Sequence, residues 1–168
     1  MSGPKSSESS PPSILGIHHL KIPTSNLPAK LTFYTTLLAF THLPHFDHRR
    51  ADTNELYAVI VQHAPTGLLV ELRINEAQAQ AQRGWDAITW SVQTRADLER
   101  WREKLVEQGV ECSRVLRGYK GWVLVTEDPD GAFVRWYCLE THEWDVNIDK
   151  GGRWPYNAHG LDVDPSSR

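Results

Sequence analysis

The chain has 168 residues and a mass of 19.1 kDa, with 40% apolar and 23% charged residues. This size suits one compact unit, or two small units that share a core, and excludes a large multidomain enzyme. The apolar fraction excludes a wholly disordered chain, and no apolar stretch approaches the roughly 20 residues of a membrane-spanning helix. The formal net charge of −3 argues against a basic surface that binds nucleic acid and against a polybasic patch that binds membranes.

The two ends of the chain differ in composition. All seven Trp residues lie after Gly84, whereas six of the eight His residues lie before it. Residues 1–13 (MSGPKSSESSPPS) are rich in Ser and Pro and predict a disordered N-terminal tail, because they cannot bury enough surface to offset the entropy of ordering. This segment lacks the apolar core of a secretory signal, so we expect a cytoplasmic protein.

The first half of the chain predicts the order strand, helix, strand, strand, strand. Residues 14–22 (ILGIHHLKI) form a short strand-like run. Asn26 is a candidate helix N-cap, and apolar residues at helical spacing extend this helix to about Ala39. Three extended runs then follow, at residues 41–47, 55–63 and 68–74.

The same order repeats after a polar connector, residues 75–85, that is rich in Ala and Gln. A strand is predicted at residues 86–93, and a helix from Arg95 to Gln108 ends where Gly109 supplies the C-terminal cap. The remaining strands are predicted at residues 113–117, 121–126 and 132–138, the last two joined by the turn Asp128-Pro129-Asp130-Gly131.

The two halves also align residue by residue. A shift of about 68 carries His19 onto Ala87, and a shift of 64 carries Glu71 onto Arg135. We therefore predict an α+β fold of two tandem βαβββ modules. Module one spans residues 14–74, module two spans residues 86–139, and a C-terminal extension follows at residues 140–168.

Residues 14–139 resemble the vicinal oxygen chelate (VOC) superfamily of glyoxalases, extradiol dioxygenases, and bleomycin- and fosfomycin-resistance proteins. The resemblance rests on the opening strand IHHLKI, the helix that contains Phe33 and Tyr34, and the segment EDPDGAFVRWY. It implies curved mixed sheets around a cup for a small molecule. It also implies a homodimer, in which the modules pair either within one chain or across two chains.

The resemblance further implies a divalent metal on the floor of the cup, held by one His and one Glu from each module. His19 and Glu71 occupy these positions in module one. Ala87 and Arg135 occupy them in module two, where an alanine has no donor atom and a guanidinium is always protonated. The sequence therefore predicts that the standard four-ligand metal site is absent.

The remaining candidate roles follow from side-chain chemistry. His19 and Glu71 are candidate catalytic residues, an imidazole base with its orienting carboxylate, although a purely structural pair and a remnant pair of metal ligands stay open. Arg135 either receives an anionic substrate group or forms an ion pair with Glu71 across the cup. The other candidate substrate-binding residues are Trp122, Tyr119 and Ala87.

Strand alternation assigns further residues to one face or the other. It predicts that Trp90 and Trp136 lie on the helix-facing side of their sheet and pack against Trp101. It also predicts that His18 points away from the cup, because it has the opposite parity to His19.

Three functions are compatible with this pattern. The leading hypothesis is a protein whose cup binds a small organic molecule without the standard metal, as a sequestering protein or as a metal-free lyase or isomerase. The alternative is a dioxygenase-like or glyoxalase-like enzyme that uses Fe, Mn, Ni or Zn and recruits His42 or His48 beside His19 and Glu71. The third is a pseudoenzyme or interaction domain whose cup is closed by an Arg135–Glu71 ion pair. The expected partner in the first two cases is a small-molecule ligand or substrate, and no nucleic-acid or membrane partner is expected.

Overall fold

The computed structural model describes residues 13–144 and residue 146. The predicted N-terminal tail lies outside the described residues except for Ser13. The predicted C-terminal extension also lies outside them, except for residues 140–144 and 146. None of the described helices is long and apolar enough to cross a membrane.

Module one forms a mixed sheet covered by one helical segment. Strand β1 (Leu20–Thr24) runs parallel to β5 (Leu68–Ile74), and β4 (Leu56–His63) runs antiparallel to β5. The predicted run at residues 41–47 is broken into two short strands that both pair with β4, because Pro44 cannot donate a backbone hydrogen bond to a sheet and starts a 3₁₀ turn instead. These strands are β2 (Thr41–His42) and β3 (His48–Arg49).

The helix of module one begins where the sequence predicts. The side chain of Asn26 accepts a hydrogen bond from the backbone N–H of Ala29, and helix α1 (Leu27–Thr32) continues into a π-helical turn at Phe33–Leu37. The chain then leaves the helix through Ala39, which has a positive φ of 59°. Strand β1 begins six residues later than the predicted run at residue 14, and Ile14 and Leu15 are exposed.

Module two repeats this arrangement after a short connecting helix, α2 (Glu76–Ala81). Strand β6 (Thr89–Val92) runs parallel to β9 (Phe133–Cys138), next to which β8 (Trp122–Glu127) runs antiparallel. Helix α3 (Arg95–Glu107) starts with a reciprocal capping box between Thr94 and Asp97. The short strand β7 (Leu116–Arg117) completes the sheet beyond β8.

The strand register reproduces the internal repeat. Lys21 lies opposite Glu71 in the β1–β5 pair, and Thr89 lies opposite Arg135 in the β6–β9 pair. These two pairs are related by the same shifts of 68 and 64 that the sequence alignment uses. The α+β fold with two curved mixed sheets is therefore confirmed.

The two modules pack against each other through their helix-facing sides. One apolar core contains Leu37 of the π-helical turn, Leu98 and Leu105 of α3, and residues of both sheets. The Lys104 ammonium of α3 donates a hydrogen bond to the carbonyl oxygen of Leu37, 2.7 Å away. A separate apolar cluster on the opposite face of the second sheet contains Leu116, Val123 and Val125, with Phe133 and Tyr137 beside it.

A buried polar cluster also joins the modules. Lys30 of α1 is 0% exposed, and its ammonium group contacts the carboxylates of Asp128 and Asp130 in the turn before β9. The backbone N–H of Ser25 donates to Asp130 Oδ1 at 2.9 Å. This cluster fixes the start of α1 against the Asp-Pro-Asp-Gly turn of module two.

Candidate functional site

A cavity of about 330 Å³ lies on the face of the first sheet opposite its helix. Its floor and walls come from the two residues just before β1, the start of β3, the strands β4 and β5, and the 3₁₀ turn before β3. All of its lining residues belong to module one: His18, His19, Phe46, His48, Ile60, Leu69 and Glu71. Sites for small organic molecules commonly combine such apolar walls with a few polar groups.

Glu71 is the buried polar residue of this cavity, and it is 2% exposed. Arg73 Nε donates a hydrogen bond to its Oε1 atom, and Lys21 Nζ lies 3.6 Å from its Oε2 atom. Burial raises the pKa of the Glu71 carboxyl, but the hydrogen bond and charge of Arg73, together with Lys21 and His48, lower it by more, so the pKa is below its ordinary value. Glu71 is therefore an anion at neutral pH.

Two histidines flank this carboxylate, and a third lies against one of them. His19 Nε2 lies 3.6 Å from Glu71 Oε2, and His48 Nδ1 lies 3.8 Å from Glu71 Oε1. Both distances exceed those of hydrogen bonds, so the contacts are electrostatic. The Nδ1 atoms of His18 and His19 are 2.9 Å apart. The prediction that His18 points away from the cup is wrong, because His18 precedes the regular part of β1, where strand alternation does not apply.

Arg135 lies on the equivalent face of module two and does not reach Glu71. It is 4% exposed, and its Nε atom lies 2.9 Å from Asp86 Oδ2. Its guanidinium carbon lies 5.7 Å from the centre of the Phe133 ring. No ion pair joins Glu71 to Arg135 within the described part of one chain, so the contact required by the closed-cup hypothesis is not formed there.

The other candidate substrate-binding residues also lie outside the Glu71 cavity of the same chain. Trp122 packs edge-on against His142, with the two ring centres 4.8 Å apart, and carries the Arg95 guanidinium over its ring at 5.3 Å. Tyr119 stacks on Trp144 at 5.1 Å. Ala87 is exposed just before β6 and lines a separate cavity of only about 30 Å³.

Sequence reasoning missed two cationic residues of the site, Lys21 and Arg73. Arg73 was accessible from alternation along β5, because it follows Glu71 by two residues. Lys21 was not, because His19, two residues earlier, lies before β1 begins. The side chains of Lys21 and Arg73 are 57% and 37% exposed, in contrast to the buried carboxylate that they contact. Phe46 could not be found in this way, because it enters the cavity from a 3₁₀ turn rather than from a strand.

The chain belongs to the glyoxalase/bleomycin resistance protein/dioxygenase superfamily, whose family model matches residues 16–135. Known structures of the same fold include the fosfomycin resistance protein FosX from Listeria monocytogenes, with 14% identity, a TM-score of 0.60, and coverage of 76% of this chain and 96% of that chain. A glyoxylase/bleomycin resistance protein/dioxygenase domain from Frankia sp. EAN1pec has 19% identity, a TM-score of 0.56, and coverage of 75% and 98%.

One further structure includes a metal ion. It is a mutant of Listeria monocytogenes FosX complexed with Mn(II) and 1S,2S-dihydroxypropylphosphonic acid, with 17% identity, a TM-score of 0.59, and coverage of 75% of this chain and 93% of that chain. These identities establish a shared fold and not a shared reaction. No curated protein sequence matches the chain.

The residues of this chain do not fit the metal site that the superfamily implies. Ala87 and Arg135 stand at two of the four positions where the resemblance implies ligands, and both oxygens of Glu71 face cationic side chains. In the part of the chain that the structure describes, no three side chains of His, Cys, Asp or Glu are grouped to hold a metal ion. Of the two histidines proposed as recruits, His48 lies near Glu71, whereas His42 pairs with Asp47 at 2.8 Å.

Proposed function

We propose that the cup of this VOC protein binds a small organic molecule that carries an anionic group, without the standard four-ligand metal. The observation that carries this proposal is the charge around Glu71. Lys21 and Arg73 both lie at this single buried carboxylate, and His19 and His48 flank it. Lys21 and Arg73 contact Glu71 without lining the cavity, and their two positive charges exceed the single charge of that carboxylate. The apolar Phe46, Ile60 and Leu69 are available for the organic part of the ligand.

If the bound molecule also reacts, His19 is the acid or base. Its side chain is 32% exposed at the cavity wall, so it can exchange a proton with a ligand there. An imidazole can both donate and accept a proton, which suits a lyase or isomerase reaction. Glu71 restrains the ring electrostatically, and Lys21 and Arg73 keep that carboxylate ionised.

Benzoate binding tests the charge argument. The Lys21→Met variant should bind benzoate about tenfold more weakly than the natural chain, because it loses one charge-assisted contact to the carboxylate of benzoate. Isothermal titration calorimetry measures the affinity. Lys120→Met is the matched control, since Lys120 is an exposed lysine of module two and, unlike Lys21, makes no ion pair with Glu71. Equal affinity in all three proteins, or no binding to the natural chain, would refute anion recognition by this cup.

We further propose that a second copy of the chain completes the cup. Strands β1 and β6 each end their sheet, with β5 and β9 as their neighbours among the described strands. Edge strands offer unpaired backbone groups to another chain. Pairing β1 of one chain with β6 of the other would place the face that contains Arg135 beside the cavity that contains Glu71, and Arg135 would then contribute a guanidinium to the ligand site.

The oligomeric state tests this arrangement. Light scattering coupled to size-exclusion chromatography should give a mass of about 38 kDa, twice that of the 19.1-kDa chain. The Arg135→Gln variant should remain dimeric but bind benzoate more weakly, because it retains a polar side chain and loses the charge. A monomeric natural chain with full benzoate affinity would show that one chain forms the whole site.

A further inference from the structure

A second concave site lies between the modules, on their helix-facing sides. It is a crevice of about 240 Å³, distinct from the Glu71 cavity. Module one supplies part of its wall and module two the rest. The lining residues are Leu38, Phe40, His63, Thr66, Trp90, Ser91, Val92, Trp101 and Trp136.

The internal repeat shows that the three tryptophans of the crevice are larger than the residues at the equivalent positions of module one. Trp90 and Trp136 are neighbours in the β6–β9 pair, just as Ile22 and Leu72 are neighbours in the β1–β5 pair. The same alignment places Trp101 of α3 on Phe33. Module one therefore forms the equivalent helix-to-sheet contact with smaller residues.

Exposure separates the two sets. Ile22, Phe33 and Leu72 are all buried, at 9%, 9% and 0%. In module two only Trp136 is buried to this extent, at 1%, whereas Trp90 and Trp101 remain half-buried and line the open crevice. The additional aromatic surface of Trp90 and Trp101 therefore lines the crevice instead of being buried in the core of module two.

The aromatic wall is held in place by contacts with its neighbours. Trp90 packs edge-to-face on Phe40 of module one, with ring centres 5.7 Å apart, and Trp101 stacks on Trp136 at 5.1 Å. The Lys104 ammonium lies 4.8 Å from the centre of the Trp101 ring and is already bonded to the carbonyl of Leu37. A ligand would therefore meet preformed aromatic surfaces, which reduces the entropic cost of binding.

We propose that this crevice binds a flat, uncharged aromatic molecule of one or two rings. None of its lining residues is Asp, Glu, Lys or Arg, so a charged ligand would lose hydration without gaining an ionic partner. An apolar cavity of about 150 Å³ accepts benzene, so the larger crevice has room for two fused rings. Ring-to-ring contacts with Trp90 and Phe40 would supply attraction beyond simple burial.

Nuclear magnetic resonance with indole as the probe tests this site in the full-length chain. Indole should shift the side-chain N–H signals of Trp90 and Trp101 saturably at concentrations up to about 10 mM, a range that detects even weak affinities. The signal of Trp122, which lies outside the crevice, should stay in place. The Trp90→Ile variant should bind indole at least about tenfold more weakly. Isoleucine is the residue at the equivalent position of module one, Ile22.

Trp122→Phe is the matched control, and it should bind indole as the natural chain does. His48→Ala, which alters the Glu71 cavity, should also leave indole binding unchanged. The absence of saturable shifts at Trp90 and Trp101 would refute the proposal, as would retention of full affinity by a folded Trp90→Ile variant. Shifts that follow protein concentration instead of indole concentration would also refute it, because they would identify the crevice as a protein–protein contact. If the Trp90→Ile variant does not fold, the indole-induced shifts of Trp90 and Trp101 in the natural chain test the proposal by themselves.

Discussion

Replacing Lys30 by Met should lower the free energy of unfolding by about 3–5 kcal/mol, the cost expected when one partner of a buried ion pair is removed. Lys30 is 0% exposed and contacts two carboxylates, those of Asp128 and Asp130. Without the ammonium group, two buried anions would face each other. Denaturant unfolding followed by circular dichroism measures the loss.

The stability of the Lys30→Met variant should also change with pH in the direction opposite to that of the natural chain. Burial raises the pKa of the Asp130 carboxyl, but hydrogen bonds from Lys30, Ser25 and Thr24 lower it by more, so the folded-state pKa is well below its ordinary value. In the natural chain this group stabilises the fold above about pH 4 and loses that contribution as the pH falls further. In Lys30→Met, the remaining carboxylates should have raised pKa values, so acidification from about pH 7 to pH 5 should stabilise the variant.

Lys104→Met is the matched control for the Lys30 substitution. Lys104 also joins the two modules, but it is only partly buried and makes one hydrogen bond to a neutral carbonyl. Its loss should cost about 1 kcal/mol and leave the pH dependence intact. Similar costs for the two variants, with the same pH slope, would show that the buried cluster does not hold the modules together.

The second large effect concerns the metal. The natural chain should purify without a near-stoichiometric divalent metal, and the double substitution Ala87→His with Arg135→Glu should introduce a site for about one metal ion per chain. These changes supply the missing His and Glu of module two. Elemental analysis of untagged protein, equilibrated with Mn, Ni or Zn and then desalted, measures the metal content.

This variant should also carry Asp86→Asn, because Asp86 lies 2.9 Å from Arg135 and would repel a glutamate at that position. Adding His19→Ala should remove the metal again. Since the two halves of the site lie on separate faces of one chain, metal uptake also requires the proposed pairing with a second copy. Stoichiometric metal in the natural chain that is lost on His19→Ala would contradict the metal-free proposal. A dimeric variant that takes up no metal would contradict the proposed placement of module two beside Glu71.

The sequence predicted the modules because a repeat leaves two independent signals. Strand and helix periodicity located the elements, and the alignment of His19 with Ala87 and of Glu71 with Arg135 agrees with the strand register. The two predicted strands whose bounds were wrong differ from the structure for local reasons. Pro44 interrupted an extended run, and the residues before Leu20 do not join the sheet.

Side-chain direction was predictable only inside regular strands. Alternation correctly placed Trp90 and Trp136 on the helix-facing side, where Trp136 stacks on Trp101. It failed for His18, which lies outside the regular strand, and it had no means to bring Phe46 or His48 to Glu71. Those contacts depend on how the segment between β2 and β4 folds over the sheet.

By itself, the sequence determined which residues stand at the candidate site positions: one His and one Glu in module one, and an Ala and an Arg at the matching positions of module two. Only the tertiary structure decided what surrounds them. It placed Lys21 and Arg73 on Glu71, and Arg135 on Asp86. It also left Trp90 and Trp101 open to a crevice between the modules. The physical reason is that periodicity specifies which face of an element a residue occupies, whereas the packing of one element on another selects the partner that it meets there.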